Sequence, residues 1–307
     1  MMMFVVAALH DGAASREQRA GDGALKAVEF AYECPHTLSE ALAILSEPDI
    51  ETRPIAGGQS LMPMMNFRLA QPDRLLDLNR LMELSFIREN GDMIEIGAMT
   101  RLVQLERSAQ IAEHMPVIAA ALPHIAHPAI RNRGTIGGSV ALADPAAELP
   151  ALLLALDARI HAVSQSGERV IDASAFFLGP YETALAPTEI LQMIAIPKPG
   201  ASRKFAFQEV ARRHGDYAIA GVAVLCDVGQ HYADPMVAFF GVSDRVVRAP
   251  SVEAALDGQA VDDQQAIDAA VERVGDIAFN GDLHTGPEAK RHLAGVILRR
   301  ALAELVR

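Results

Sequence analysis

Hydrophobic positions from Leu38 to Leu45 recur at three- and four-residue spacing (Leu38, Ala41, Leu42, Leu45), the period of a helix with one buried face. Thr37 and Glu40 stand three apart in the arrangement of a capping box, so the spacing predicts a helix from Thr37 to about Ser46. Arg53–Ala56 and Asp73–Leu78 read as short strands, the first ending at Gly57-Gly58. Phe86–Arg88 and Met93–Ile96 flank Glu89-Asn90-Gly91-Asp92, a hairpin signal. Thr100 is expected to cap a helix reaching about Ser108, and Pro116–His124 to form a buried helix. A glycine loop at Gly134–Ser139 precedes a helix over Ala146–Leu156. Alternation then takes over. Arg159–Val163 and Glu168–Ile171 surround Gly167 as a second hairpin, and Ile190–Ile196 is a strand stopped by Pro197. Pro197-Lys198-Pro199-Gly200 is the best linker candidate. Strands near Lys204–Ala211, Ile219–Val228 and Val237–Val242 follow, then helices over Asp263–Ile277 and Pro287–Val306, the second with proline near its start. There is no regular βαβ alternation and no internal repeat, so the class is α+β.

Composition narrows the possible functions. The 307 residues suggest about two domains. Lys and Arg number 27 against 39 Asp and Glu, a net charge of −12, and the basic residues are dispersed. A phosphate backbone would be repelled, so nucleic acid is not an expected partner. The acidic balance fits a cytoplasmic location. The two cysteines, Cys34 and Cys226, cannot form a disulfide framework or by themselves ligate an iron–sulfur cluster. No transmembrane segment is expected, because apolar runs such as Leu149–Leu156 fall far short of the roughly 18 residues required. Met1–Leu9 has no Lys or Arg before it and makes a poor secretory leader. Asp11–Gly23 has little to bury, so residues 1–25 read as a poorly ordered tail, or as the product of a start codon assigned too early.

Two segments share one chemistry. Pro54-Ile55-Ala56-Gly57-Gly58-Gln59-Ser60-Leu61 and Gly134-Thr135-Ile136-Gly137-Gly138-Ser139 each combine a double glycine with small polar residues. Glycine allows close backbone approach and positive φ. Successive N–H groups then form a concavity for an anion such as phosphate. Ser60, Thr135 and Ser139 add hydroxyls, and two such loops could grip a pyrophosphate from two sides. Neither is a G-x-G-x-x-G fingerprint or a P-loop. A double glycine alone is an ordinary turn. The remaining constellations are weaker. His124 and His127, beside prolines, read as loop or core histidines; Cys34 and Cys226 read as small buried hydrophobes. Met62, Met64 and Met65 read as core. Arg131 and Arg133 beside the second loop could meet phosphate, a partner's acidic face or solvent.

The two loops and their surroundings resemble the FAD-binding medium subunit of molybdenum hydroxylases, a family that includes carbon monoxide dehydrogenase and the FAD domain of xanthine dehydrogenase. The resemblance runs from about Val28 to Arg307. It rests on Phe30–Leu45, Ala56–Pro63, Ile130–Ser139, Ala143-Asp144-Pro145-Ala146-Ala147-Glu148, Arg213–Ala218 and the segment from His292 to Leu302. It implies a PCMH-type FAD-binding domain of two α/β lobes, over residues 26–200 with lobes of about 26–80 and 81–200. A C-terminal domain over 201–307 would carry a three-stranded antiparallel sheet and helices. Carried over as cofactor contacts are Ile55, Ala56, Gly57, Gly58, Gln59, Ser60 and Leu61 in the first loop, and Thr135, Ile136, Gly137, Gly138 and Ser139 in the second. Ile125 and Leu191 match apolar positions near the flavin, and Tyr217 a position near the isoalloxazine. Glu148 falls where many members have Asp, and Ser139 where many have Asn.

Such a subunit has no acid–base pair of its own acting on the substrate and no metal site. The resemblance implies a large partner holding the molybdenum cofactor and a small partner with two [2Fe–2S] clusters. Electrons would pass to FAD and on to an external acceptor: NAD, quinone or oxygen. The 4-hydroxybenzoyl-CoA reductase branch, which adds a [4Fe–4S] cluster, is excluded by the two cysteines. The competing readings are a stand-alone PCMH-type flavin oxidoreductase and a flavin-free scaffold of the same fold.

Overall fold

The computed structural model describes residues 26–306; the tail expected over residues 1–25 lies outside the described residues. Strand β1 (Ala31–Glu33) leads into α1 (Leu38–Leu45). The capping box forms as the spacing predicts: Glu40 N–H donates to Thr37 Oγ1 at 3.2 Å, and the Glu40 carboxylate accepts from the His36 and Thr37 N–H groups. Strand β2 (Thr52–Ile55), helix α2 (Leu61–Asn66) and strand β3 (Arg74–Asp77) follow. The three strands form a parallel sheet ordered β1-β3-β2, with Ile55 opposite Asp77. The chain leaving β2 and the chain leaving β3 therefore emerge at the same edge. The carboxyl ends of parallel strands are where open α/β sheets bind ligands.

The second sheet begins with the hairpin β4 (Ile87–Asn90) and β5 (Met93–Gly97). Six helices come next: α3 (Leu102–Glu106), α4 (Ala109–His114), α5 (Pro116–Ala121), α6 (Pro128–Arg131), α7 (Ile136–Leu142) and α8 (Glu148–Ala155). Strands β6 (Arg159–Ser164) and β7 (Gly167–Asp172), helix α9 (Ala173–Phe176), the ribbon of β8 (Phe177–Gly179) and β9 (Glu182–Thr183), and β10 (Ile190–Pro197) complete the unit. β10 inserts between β5 and β6 to give an antiparallel order β4-β5-β10-β6-β7. Two expectations are corrected here. Thr100 does not cap a helix; its hydroxyl bonds the Phe86 N–H and carbonyl and ties down the turn after β5. Ser108, placed at the end of that helix, instead caps α4 through the Ile111 N–H. The buried helix over 116–124 closes as a single 3-10 turn at Leu122–His124, where Pro123 offers no N–H.

Strands β11 (Arg203–Ala211), β12 (Ala218–Val228) and β13 (Tyr232–Phe240) form the three long antiparallel strands of the C-terminal unit. A two-residue edge strand β14 (Val247–Arg248) joins β13. β12 reads as an unbroken apolar run because both faces are covered. Ala223 and Leu225 face the central core with α8, whereas Val222, Val224 and Cys226 face the closing helices. Those helices are α10 (Pro250–Leu256), α11 (Gln264–Arg273) and α12 (Pro287–Leu305). Cys226 is buried as a small hydrophobe, and Cys34 is half-buried. No helix among the described residues is long and apolar enough to cross a membrane.

Candidate cofactor site

The two glycine loops meet in space. The first leaves β2 at the carboxyl edge of the parallel sheet; the second joins α6 to α7. Gly57 lies directly against the second loop: a Cβ there would stand 2.8 Å from the Gly134 Cα and 2.9 Å from the Arg133 carbonyl carbon. Only glycine permits that approach. Gly58 has φ 70°, the left-handed region that turns the chain from β2 into α2. Behind the second loop, Gly137 packs against Ala98, whose Cα is 2.8 Å from where a Cβ would sit. Each double glycine is thus required by the contact of backbone with backbone as well as by any ligand.

The hydrogen bonds of the two loops divide sharply. In the second loop the N–H groups from Ile136 to Ser139 are engaged. Ile136 donates to Thr100 O at 3.1 Å, Gly137 to Ala98 O at 2.9 Å, and Ser139 to Thr135 O at 3.1 Å. Gly138 N–H donates to Thr135 Oγ1 at 3.0 Å, so this hydroxyl caps α7. In the first loop the N–H groups of Gly58, Gln59, Ser60 and Leu61 find no partner among the described residues. Met62 is the first to bond, to Gly58 O at 3.3 Å. The Gln59 amide turns inward, donating to Gly57 O at 2.9 Å. Four consecutive N–H groups without acceptors among the described residues are the kind of donor set that can receive an anion.

Two residues that the sequence did not single out stand at this junction. Asn79 Nδ2 donates to Ala56 O at 2.9 Å, and Asn79 Oδ1 accepts from Arg101 Nη2. Arg101 Nη1 donates to the Arg133 carbonyl. No motif marks them. The sole signal in the sequence is an Asn just past the end of a parallel strand. Arg131, expected to meet phosphate, a partner or solvent, does none of these. It is buried, pairs with Glu106 at 3.1 Å and donates to the Ile125 and Ala126 carbonyls at 3.1 and 3.0 Å. It holds the Ile125 segment in shape. Of the three methionines read as core, Met65 is fully buried, and Met62 and Met64 are half-buried.

Of the remaining site residues, Glu148 and Tyr217 lie within electrostatic reach of Asp144, two residues past the end of α7. Ile125, Ile136 and Leu191 lie in the central core with Phe207 and Ala218. Tyr217 is not part of that core: its side chain is 66% exposed. The turn before it, with Gly215 at φ 84°, packs on Ala126 and His127. Its phenol lies within electrostatic reach of Asp144 and Glu148. Asp144 is buried and accepts from the Ala146 N–H at 2.9 Å and from Tyr181 at 3.2 Å; burial raises its carboxyl above the usual range. Glu148, the first residue of α8, is buried, and burial, helped by the charges of Glu209 and Asp144, pushes its carboxyl up to about 8. Glu209 is pushed up to about 7 by burial, and its Oε2 has no hydrogen-bond partner among the described residues. His124 is half-buried against the Phe207 and His214 rings, as a core histidine. No cluster of three or more His, Cys, Asp or Glu able to hold a metal occurs among the described residues.

Residues 28–199 match the family model described as the FAD binding domain in molybdopterin dehydrogenase, and residues 205–305 that of the CO dehydrogenase flavoprotein C-terminal domain. The nicotine 6-hydroxylase medium subunit of Paenarthrobacter nicotinovorans is 37% identical over 282 residues, covering 91% of this chain and 98% of that protein. The carbon monoxide dehydrogenase medium chain of Hydrogenophaga pseudoflava is 36% identical over 275 residues, 89% of this chain and 96% of that one. Among solved structures, a carbon monoxide dehydrogenase from Hydrogenophaga pseudoflava matches with a TM-score of 0.88 at 36% identity, over 91% of this chain and 98% of that one. Quinoline 2-oxidoreductase from Pseudomonas putida 86 matches at 0.86 and 34%, with the same coverage. The two touching glycine loops, the parallel sheet that presents them and the antiparallel C-terminal unit are therefore those of a flavoprotein subunit of an oxidoreductase: the chain belongs to the FAD-binding medium subunits of the molybdenum hydroxylase family.

Proposed function

We propose that this chain is the electron-transfer subunit of a molybdenum hydroxylase complex, holding FAD between an iron–sulfur partner and an external acceptor. The observation that carries the reading is the run of four N–H groups from Gly58 to Leu61 without an acceptor among the described residues, beside a second loop whose N–H groups from Ile136 to Ser139 are already used. That division suits a diphosphate: one side supplies donors and the other supplies a shaped wall. Residues Ile55 to Leu61 would hold the diphosphate, and Thr135 to Ser139 would close over it. Ile125, Leu191 and Tyr217, with Glu148 nearby, would line the ring end. When bound, FAD supplies a two-electron carrier able to exchange electrons with one-electron partners.

The chain's own residues orient the cofactor and govern access to it. Tyr217 is exposed where it would cover one face of the ring. Glu148, with its carboxyl pushed up to about 8, is a neutral donor at pH 7 and places no negative charge beside the ring. The lobes of residues 26–80 and 81–200 would form the FAD domain, and 201–307 the domain that completes the subunit. The external acceptor would be NAD, a quinone or oxygen. Substrate oxidation would belong to partner chains.

Purification from the native host tests this. The expected result is a flavin spectrum, FAD released on denaturation, and co-purifying chains that carry molybdenum and [2Fe–2S] clusters. The isolated chain should not oxidise purines, aldehydes or carbon monoxide. Substrate-dependent bleaching of flavin by the pure chain would refute the subunit reading, and a colourless chain that binds no added FAD would refute the flavin reading.

A further inference from the structure

The two glycine loops belong to different lobes, and one pair of side chains ties them. Asn79 lies just beyond β3 in the first lobe. Its backbone N–H bonds Asp77 Oδ1 at 2.8 Å, and its Nδ2 donates to the same oxygen, which fixes the side chain. From there Nδ2 holds the Ala56 carbonyl of the first loop at 2.9 Å. Oδ1 turns the other way and accepts from Arg101 Nη2. Arg101 precedes α3 in the second lobe, and its backbone is bridged to Thr135 of the second loop. Leu102 N–H to Gly134 O at 2.9 Å and Ile136 N–H to Thr100 O at 3.1 Å flank that bridge. The remaining arm of the guanidinium, Nη1, donates to the Arg133 carbonyl, the group that Gly57 packs against. One half-buried planar side chain thus bonds the second loop directly and the first through Asn79. A guanidinium holds two acceptors in a fixed fork, which an ammonium cannot reproduce.

We propose that Arg101 is a positioning residue of the FAD site: acting through Asn79, it fixes the gap between the two glycine loops and so sets the affinity for the diphosphate. The proposal rests on the FAD reading above, but the clamp itself can be tested without FAD. Neither residue need touch the cofactor. Their shared effect is geometric: the side-chain link between the loops runs through both, so the loss of either breaks it.

The experiment uses the full chain, stripped of FAD, as wild type, Arg101→Ala, Arg101→Lys, Asn79→Ala and the Arg101→Ala/Asn79→Ala double variant. Amide exchange is followed by mass spectrometry, and FAD affinity by quenching of flavin fluorescence. Each alanine variant should speed exchange at Met62 and Met64, whose N–H groups bond the Gly58 and Ser60 carbonyls of the first loop, together with residues 133–139, while the C-terminal sheet keeps wild-type protection. FAD affinity should fall by roughly tenfold or more, the scale of one charge-assisted hydrogen bond. Arg101→Lys, which keeps the charge, should lose most of that affinity too and serves if the alanine variants fold poorly. The double variant should bind FAD as weakly as either single one, because both break one clamp. Losses that multiply would show that Arg101 contacts FAD on its own and would overturn the proposal. Unchanged exchange in both loops would overturn it as well. A wild-type chain that binds no FAD would refute the flavin reading instead, and the exchange data would still decide the clamp.

Discussion

Replacing Gly57 by alanine puts one methyl group into the contact between the loops. The new carbon would stand 2.8 Å from the Gly134 Cα and 2.9 Å from the Arg133 carbonyl carbon, where carbon atoms normally rest about 3.5–4.0 Å apart. The segments must part by roughly 1 Å, and no side-chain rotation can supply it, because both opposing atoms are backbone. The opposing segment is itself pinned: Gly134 N–H donates to Ile130 O at 2.7 Å, and Gly134 O accepts from Leu102 at 2.9 Å. Overpacking of this kind costs about 1–3 kcal/mol. If that cost is spread through the fold, the FAD-free chain melts lower. If instead the loops separate, it appears as about 5- to 150-fold weaker FAD binding. Gly58→Ala is the comparison. Its added carbon meets only the flexible Ile55 and Met62 side chains, at 3.3 and 3.4 Å. Its cost is the positive φ, about 1–2 kcal/mol, with no wedge between the loops. Melting curves of both variants, with and without FAD, and a fluorescence titration separate the two effects. A Gly57→Ala chain that melts and binds FAD like wild type would refute the close-packing argument.

Other outcomes follow from groups away from the loops. Glu148 holds its proton up to about 8 in the fold but only to about 4.3 when unfolded. Over that interval the folded state binds more protons, so stability falls as pH rises from about 4 to 8; Glu148→Gln should flatten the fall in urea unfolding curves, and an unchanged slope would show the carboxyl to be ordinary. Arg131→Ala strands Glu106 and two backbone carbonyls and should destabilise the chain by about 3 kcal/mol, measured by denaturant midpoint; a phosphate-binding Arg131 would instead cost FAD affinity with little stability. Tyr217→Ala should retain FAD, because the diphosphate grip is elsewhere, while the rate of flavin reoxidation in air after dithionite changes. Equal rates and an unchanged flavin spectrum would place the tyrosine away from the ring.

Local patterns carried much of this fold, and contacts between distant segments did not. The capping box at Thr37 and Glu40, both hairpins and the long C-terminal strands are set by neighbours in the chain, so spacing and turn residues revealed them. β13 was read as starting at Val237, whereas it begins at Tyr232. Asp234, with φ 46°, and Pro235 lie at a register shift against Leu225 and Asp227, and a proline in a run argues against a strand. The double glycines were legible as special, but the reason for Gly57 was not. It answers to Arg133 and Gly134, which reach it only through the fold. Arg131, beside a glycine loop, is open in the sequence to phosphate, a partner's acidic face or solvent, and only its burial against Glu106 assigns it to structure. Asn79 and Arg101 carry no motif, because their roles come from the ends of elements in two lobes that meet in space.

The unequal hydrogen bonding of the two glycine loops sets which substitutions each can tolerate. Positions in the second loop are constrained from behind: Gly137 answers to Ala98, and Thr135 must keep an oxygen for Gly138. A change there is felt whether or not a ligand is present, and a compensating change would have to come in the wall behind it. Gly58, Gln59, Ser60 and Leu61 bond nothing among the described residues through their N–H groups, so beyond the positive φ at Gly58 few hydrogen bonds there dictate their order. Drift at Gln59, Ser60 and Leu61 would be nearly invisible to a stability screen and visible to a screen for anion binding. Random mutagenesis scored by folding alone would therefore find the second loop and the two glycines of the first, Gly57 and Gly58, and binding would add the three residues after them.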